Sequence, residues 1–88
     1  MDNRIEIFRN VLLSSAEATK STGADLATLS LMLKTSGIHT DAEEVECECD
    51  YLIGKKLLAE RKGIVSAKRI FVVTDAGRDH LDRIGLLN

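Results

Sequence analysis

The sequence is poor in residues that build stacking surfaces and rigid linkers. It has no proline, no tryptophan and three aromatic residues, Phe8, Tyr51 and Phe71. Proteins that bind single-stranded nucleic acid usually stack several exposed aromatic rings on the bases. Three rings do not make such a platform, which excludes that class. The core has to come from Leu, Ile, Val and Ala, and no proline-rich linker divides the chain.

Long apolar runs are also missing. No run approaches the roughly 20 residues that a helix needs to cross a bilayer, and the first residues lack the apolar core of a signal peptide. We therefore expect a cytoplasmic protein with no membrane segment. Apolar residues make up 44% of the 88 positions and charged residues 30%, as in ordinary globular proteins. A chain of this size suits a single domain over residues 1–88.

The only cysteines, Cys47 and Cys49, are separated by one residue and cannot close a long loop. With Asp50 they resemble the Cys-x-Cys-Asp metal-sensing box of ArsR-type repressors, where thiolates beside carboxylates hold a soft metal. In those repressors the box lies on the helix before the recognition helix. Side chains two residues apart on a helix also diverge by about 200°. We therefore expect a buried Cys49, a surface thiol at Cys47 and no metal.

Residues that carry catalysis do not form a recognisable set. His39 and His80 lie far apart, and neither has a metal-ligand companion at helical spacing, so we expect both to face solvent. The sequence has no glycine-rich phosphate loop, no nucleophile elbow and no Ser/His/Asp arrangement in a supporting context. We therefore expect neither an enzyme nor a bound cofactor.

Apolar residues at steps of three and four predict two helices before Gly37, which suits the left-handed residue that stops a helix. The polar segment 19–23 predicts a loop between them. The second helix should begin near Ala24, because Thr22 and Asp25 have the spacing of a capping box. We expect Asp2 to cap the first helix. Its buried stripe consists of Ile5, Phe8, Leu12 and Ala16, and Ile7 and Leu13 lie off this stripe.

A third helix should begin at Asp41, because Thr40 and Glu43 again have capping-box spacing. Its apolar stripe consists of Ala42, Val45, Cys49, Leu52 and Ile53. Across the three helices and the last one, the predicted core includes Phe8, Leu12, Leu29, Leu33, Val45, Leu52 and Leu81. The buried edge of the second helix is formed by Leu26, Leu29 and Leu33, and Leu31 and Met32 widen it.

After the third helix the pattern changes to two β-prone runs, residues 57–65 and 69–73. The segment Ser66-Ala67-Lys68 between them is typical of a turn. Thr74 can then cap a last helix that carries Leu81 and Ile84 on one side. The sequence therefore predicts a two-stranded hairpin followed by a C-terminal helix.

This order of elements, followed by Val73-Thr74-Asp75-Ala76-Gly77-Arg78, resembles the C-terminal half of a winged helix-turn-helix domain. The run Tyr51-Leu52-Ile53-Gly54-Lys55-Lys56-Leu57-Leu58 resembles the junction of third helix and wing in MarR-like and PadR-like regulators. In those families the helix is followed by a pair of apolar residues, here Leu57 and Leu58, and a glycine often stands two residues before the second of them. This chain has Lys56 at that place. The resemblance implies an α+β, mainly α, winged helix: a three-helix bundle with a helix-turn-helix, a hairpin wing and a C-terminal helix. Small single-domain regulators of bacteria or phages have this form.

Charge changes sign along the chain. Six acids and no base lie on the third helix: Asp41, Glu43, Glu44, Glu46, Glu48 and Asp50. Six bases and one acid follow: Lys55, Lys56, Arg61, Lys62, Lys68 and Arg69 against Glu60. A basic wing suits a protein that regulates transcription by binding double-stranded DNA, because its cations reach backbone phosphates. The residues expected to make those contacts are Arg61, Lys62, Lys68, Arg69 and, at the end of the second helix, Lys34.

The acidic third helix favours a different function. In the usual docking this helix enters the major groove with its N-terminal end first, and carboxylates there meet repulsion from phosphate. The alternative is therefore a winged helix that binds protein and not DNA. Its contact residues would be Glu44, Glu48, Cys47 and Tyr51. Charge runs also occur simply as solvated faces, and the sequence leaves these alternatives open.

Apolar residues that do not fit one core predict self-association. Ile7, Leu13 and the C-terminal Ile84, Leu86 and Leu87 are the residues concerned. Winged-helix regulators commonly dimerise through their first and last helices, and twofold dimers are the commonest closed assembly. We therefore expect a homodimer.

Overall fold

The computed structural model describes residues 3–62 and 68–86. In chain order the elements are α1 (Arg4–Ala18), a 3-10 turn (Lys20–Thr22), α2 (Leu26–Thr35), α3 (Ala42–Gly54), β1 (Leu58–Lys62), β2 (Arg69–Val73) and α4 (Asp75–Arg83). This is the mainly helical α+β winged helix that the sequence predicts. Positions 63–65 of the predicted first strand, and the predicted turn residues Ser66 and Ala67, lie outside the described residues. Among the described helices, none has the length and apolarity that a membrane crossing requires.

Helices α2 and α3 both begin at an aspartate cap. Asp25 accepts a hydrogen bond from the Thr28 N–H, and Asp41 accepts one from the Glu44 N–H, each at 2.8 Å. The threonine caps predicted at Thr22 and Thr40 are therefore wrong, and the helices begin at Leu26 and Ala42. Aspartate caps a helix as well as threonine does, so the local sequence alone did not choose between neighbouring candidates. Before α1, Asp2 lies outside the described residues.

The end of α2 confirms the role predicted for Gly37. Its φ is +86°, and the following Ile38 N–H donates to the Leu33 carbonyl at 2.9 Å. The same motif ends α3, where Lys56 has a φ of +64° and the Leu57 N–H donates to the Leu52 carbonyl at 3.0 Å. Lysine therefore occupies a left-handed position that usually favours glycine, and the tight turn into the wing forms without one.

The wing confirms the predicted antiparallel pairing, with Arg61 opposite Ile70 and Glu60 opposite Phe71. The other edge of β2 is also bonded: Phe71 exchanges both backbone hydrogen bonds with Ala24, at 2.8 and 3.0 Å. These two bonds hold the wing against the helices. Ala24 directly follows the predicted loop 19–23, which is partly a 3-10 turn.

Thr74 caps α4 as predicted, accepting a hydrogen bond from the Gly77 N–H at 3.0 Å. Its own hydroxyl donates to the Lys56 carbonyl at 2.7 Å. At Gly77 a side chain would collide with the Leu57 backbone. These close contacts tie the start of α4 to the turn between α3 and β1.

Every residue of the predicted core is buried. Three assignments to the apolar stripes are wrong: Ile5 is 42% exposed, Leu31 is 64% exposed, and Ala42 is exposed. Leu13, predicted to lie off the stripe, is 1% exposed. Helix α1 packs against α2, α3, α4 and β2, so it buries more than one stripe along its middle.

Replacing Lys56 with glycine should raise the free energy of unfolding by about 1 kcal/mol, because glycine adopts the left-handed conformation without a side-chain penalty. The matched control is Lys55→Gly, one residue earlier, where φ is −86°. Glycine in that right-handed position should destabilise by up to about 1 kcal/mol. Urea unfolding measures both changes, and destabilisation by both would contradict the left-handed conformation of Lys56.

Candidate functional site

Arg69 at the start of β2 is enclosed by three carboxylates. Its Nη1 donates to Glu46 at 3.0 Å, its Nη2 to Asp50 at 2.6 Å, and its Nε and Nη2 to the two oxygens of Glu60 at 2.9 and 2.8 Å. Hydrogen bonds to Glu60, and then to Asp50, raise the pKa of Arg69. The same contact lowers the pKa of Glu60. We call these four residues the Arg69 cluster; it joins both wing strands to α3.

The other cations predicted to bind phosphate differ in their surroundings. Arg61 Nη2 donates to the carbonyls of Ser21 and Thr22, both at 2.6 Å. Lys68 Nζ lies 3.8 Å from Asp25, with 69% of its side chain exposed. Lys62, at the end of β1, and Lys34, in the last turn of α2, are both exposed. The two arginines therefore hold other parts of the protein, while the three lysines present exposed side chains.

The residues predicted for protein binding on α3 divide into two pairs. Glu48 accepts a hydrogen bond from Arg9 Nε at 2.6 Å, which raises the pKa of Arg9, and the Arg9 guanidinium lies 3.6 Å from the centre of the Tyr51 ring. Glu48 and Tyr51 therefore contact α1. Glu44 and Cys47 are exposed, and Glu44 accepts only a long hydrogen bond, 3.3 Å, from the Thr40 hydroxyl among the hydrogen bonds of the described residues.

The cysteines are placed as predicted, with Cys47 exposed and Cys49 buried. Burial raises the pKa of Cys49 to about 12, so it stays a neutral thiol near pH 7. Within residues 3–62 and 68–86, no three His, Cys, Asp or Glu residues form a group that could hold a metal. His39 is exposed. His80 is half-buried, with Nε2 3.2 Å from Asn10 Oδ1, so its predicted exposure to solvent is wrong because α4 packs on α1.

A groove of about 570 Å³ lies between the first turns of α1 and the start of α3. Its apolar lining comes from Ile5, Ile7, Phe8 and Ile38, and its polar lining from Arg4, His39 and Glu44. We call it the α1–α3 groove. The sequence missed it because its walls are distant in the chain; the one signal was Ile7, which lies off the apolar stripe.

A second cleft, of about 510 Å³, lies on the other side of α1. Tyr51, Lys55 and His80 line it together with the buried Leu13. The burial of Leu13 also removes one of the residues that predicted self-association. Ile7, Ile84 and Leu86 remain exposed, Leu87 lies outside the described residues, and the homodimer stays a prediction.

Comparison with known proteins shows the fold. No family model and no curated protein matches the sequence. The structure of BpsR from Bordetella bronchiseptica, solved in a study of how 6-hydroxynicotinic acid regulates its DNA binding, matches with a TM-score of 0.73 and 18% identity over 89% of this chain and 55% of that chain. Human N-acetylserotonin methyltransferase in complex with SAM matches with a TM-score of 0.61 and 16% identity over 88% of this chain and 22% of that chain.

The chain thus spans about half the length of BpsR and about a fifth of the methyltransferase. One of these proteins binds DNA and the other is an enzyme, so a shared fold leaves the function open. The likeness to BpsR, together with the four helices and the paired strands, shows that this chain has a winged-helix fold.

Replacing Arg69 with glutamine should lower the free energy of unfolding by about 1 kcal/mol at pH 7, because it leaves the carboxylates of the cluster close together without a cation. The pKa of Glu60 is lowered in the folded protein. The stabilisation is therefore present at neutral pH and is lost as the pH falls through that lowered pKa. Urea unfolding at pH 7 and at about pH 2, well below the usual pKa of a carboxyl group, measures both effects.

The matched control is Arg83→Gln, which removes a pair with Asp79 within α4, at 2.6 Å. Exposed pairs four residues apart on a helix contribute about 0.3–0.5 kcal/mol. Equal losses for the two variants, or an Arg69→Gln loss that persists in acid, would contradict a structural role of the Arg69 cluster.

Proposed function

We propose that this winged helix acts by binding a protein through the start of α3, and not by inserting α3 into DNA. The observation that carries the proposal is the charge at this end of the helix. Asp41, Glu43 and Glu44 are all exposed there. In the usual docking of a winged helix the same end enters the major groove, where three carboxylates meet repulsion from the phosphates.

The wing arginines support the same conclusion. For Arg69 to contact a phosphate it would have to leave Glu46, Asp50 and Glu60, and those carboxylates would then face the DNA without a cation. Arg61 would likewise leave two backbone carbonyls. Each arginine would have to give up its hydrogen bonds within the protein before it contacted a phosphate, so these arginines are poorly placed for phosphate.

DNA-backbone binding is the second candidate, and the exposed lysines favour it. Lys62 is the last residue of β1, Lys68 directly precedes β2, and Lys34 lies on α2; all three are exposed. BpsR, which has a similar fold, is a protein whose DNA binding is regulated. In this candidate the protein is a transcription regulator that contacts phosphates through the wing, with α3 outside the groove.

A salt titration of duplex DNA binding, followed by fluorescence anisotropy, separates the two functions. Protein binding through α3 predicts no salt-dependent binding by the wild type. Wing binding predicts that log K falls with log salt at a slope of about −0.9 per neutralised phosphate. Lys62→Ala with Lys68→Ala should then flatten the slope by nearly two units and weaken all sequences alike. Such a slope, lost in the double variant, would overturn the proposal.

Cys47 allows a direct test of what approaches α3. It is exposed and Cys49 is buried, so a maleimide benzophenone should label Cys47 alone. Irradiation in an extract of cells that naturally express the protein should give an adduct that protease removes and nuclease does not. The matched control is Asp82→Cys with Cys47→Ser, which moves the label to the exposed side of α4 and should give no such adduct. A nuclease-sensitive adduct at Cys47 would contradict the proposal.

A further inference from the structure

We propose that the α1–α3 groove binds a basic amphipathic helix of the partner protein. Its apolar side chains would enter between Ile7 and Ile38, and its lysine or arginine side chains would face Glu43 and Glu44. This inference rests on the proposed function, because it names the kind of partner that the start of α3 binds.

The apolar part of the groove is accessible. Ile5 is 42% exposed and Ile7 is 55% exposed, while Phe8 beneath them is 9% exposed. Residues 3–7 are all exposed, so the first turns of α1 extend beyond the elements that cover its middle. Contiguous exposed apolar residues next to charged ones are typical of protein interaction sites.

The shape of the groove favours a helix over a strand. A strand adds to a free sheet edge, but the described residues that line this groove include none from β1 or β2. A groove lined by apolar side chains of two elements instead accepts residues spaced three and four apart on one helix face. Here the two elements are α1 and the turn at Ile38, which precedes α3.

The charges at the edge of the groove indicate that the partner helix is basic. Glu44 lines the groove, and Glu43 precedes it in the first turn of α3, where it is exposed. Arg4 and His39 line the groove as well, so its acidic flank is confined to the first turn of α3, which carries Glu43 and Glu44. A helix with bases along one flank complements this arrangement, since paired charges across an interface set orientation and suppress wrong partners.

A second copy of this chain complements the groove less well. The chain has a net charge of −2, and the exposed first turns of its own α1 carry one base and one acid, Arg4 and Glu6. That surface does not supply a basic flank for Glu43 and Glu44. These charges favour a helix from a different, basic protein over α1 of a second copy.

The test uses a fluorescent synthetic helix of leucine and lysine, with leucine at steps of three and four. Anisotropy should show that the wild-type protein binds it, and that a matched leucine–glutamate helix does not bind. Ile7→Ser should weaken binding about tenfold, because it removes an apolar anchor. Glu43→Gln with Glu44→Gln should weaken it by a similar factor and reduce its salt dependence.

Two variants serve as matched controls. Ile84→Ser removes another exposed isoleucine, and Asp79→Asn with Asp82→Asn removes an exposed pair of carboxylates on α4. Both should bind the leucine–lysine helix as the wild type does. In NMR spectra, the amide shifts caused by the peptide should centre on Ile5, Ile7, Ile38 and Glu44. Equal weakening by Ile7→Ser and Ile84→Ser, or shifts centred elsewhere, would overturn the inference.

The outcomes also distinguish this inference from the proposed function. A protein adduct at Cys47 without binding of the leucine–lysine helix would leave the proposed function standing and overturn the groove assignment. DNA binding with the salt slope of the wing lysines would overturn the proposed function itself. Sedimentation showing a dimer that Ile7→Ser converts to a monomer would overturn the inference by making the groove an interface between copies.

Discussion

Strand β2 makes backbone hydrogen bonds on both of its edges, and the position of the wing depends on this arrangement. One edge pairs with β1 and the other with Ala24. The Phe71 side chain in the middle of β2 is fully buried, and α1 packs against this strand. Because Ala24 directly precedes the Asp25 cap of α2, the same backbone bonds place the wing, α1 and α2 relative to one another.

The acids of α3 are partly a structural requirement of this arrangement. Glu46 and Asp50 balance Arg69 on the wing, and Glu48 balances Arg9 on α1. In the sequence, the acidic third helix conflicts with DNA binding and the basic wing suits it. In the fold, acids of α3 and a base of the wing pair with each other. Glu43 and Glu44, at the start of α3, are the acids through which we propose that the helix binds its partner.

Some acids of α3 stabilise the fold and others are left exposed, so a regulator-like fold can present a surface that repels phosphate. The fold depends on buried contacts and backbone bonds, whereas binding depends on side chains that the fold leaves exposed. Similar backbones occur in BpsR and in part of a methyltransferase, at 18% and 16% identity. Exposed residues on α1 and α3 can therefore differ between proteins of this fold without changing the core.

The sequence by itself predicted the elements and most of the core. Apolar periodicity identified Leu12, Leu52 and Leu81 as buried because helix faces repeat every three to four residues. The turn at Gly37 and the cap at Thr74 were predicted for a similar reason, since each depends on hydrogen bonds within a few residues. Where several local residues could cap equally well, as at Thr40 and Asp41, the predicted start was wrong by one residue.

Only the tertiary structure decided the candidate site. Glu48 meets Arg9 across 39 residues of sequence and Arg69 meets Glu46 across 23, and no local pattern encodes such pairs. Leu13 is buried and Ile5 exposed because α1 is covered by other elements along its middle and not at its first turns. The α1–α3 groove exists for the same physical reason: its walls become neighbours only when the helices pack.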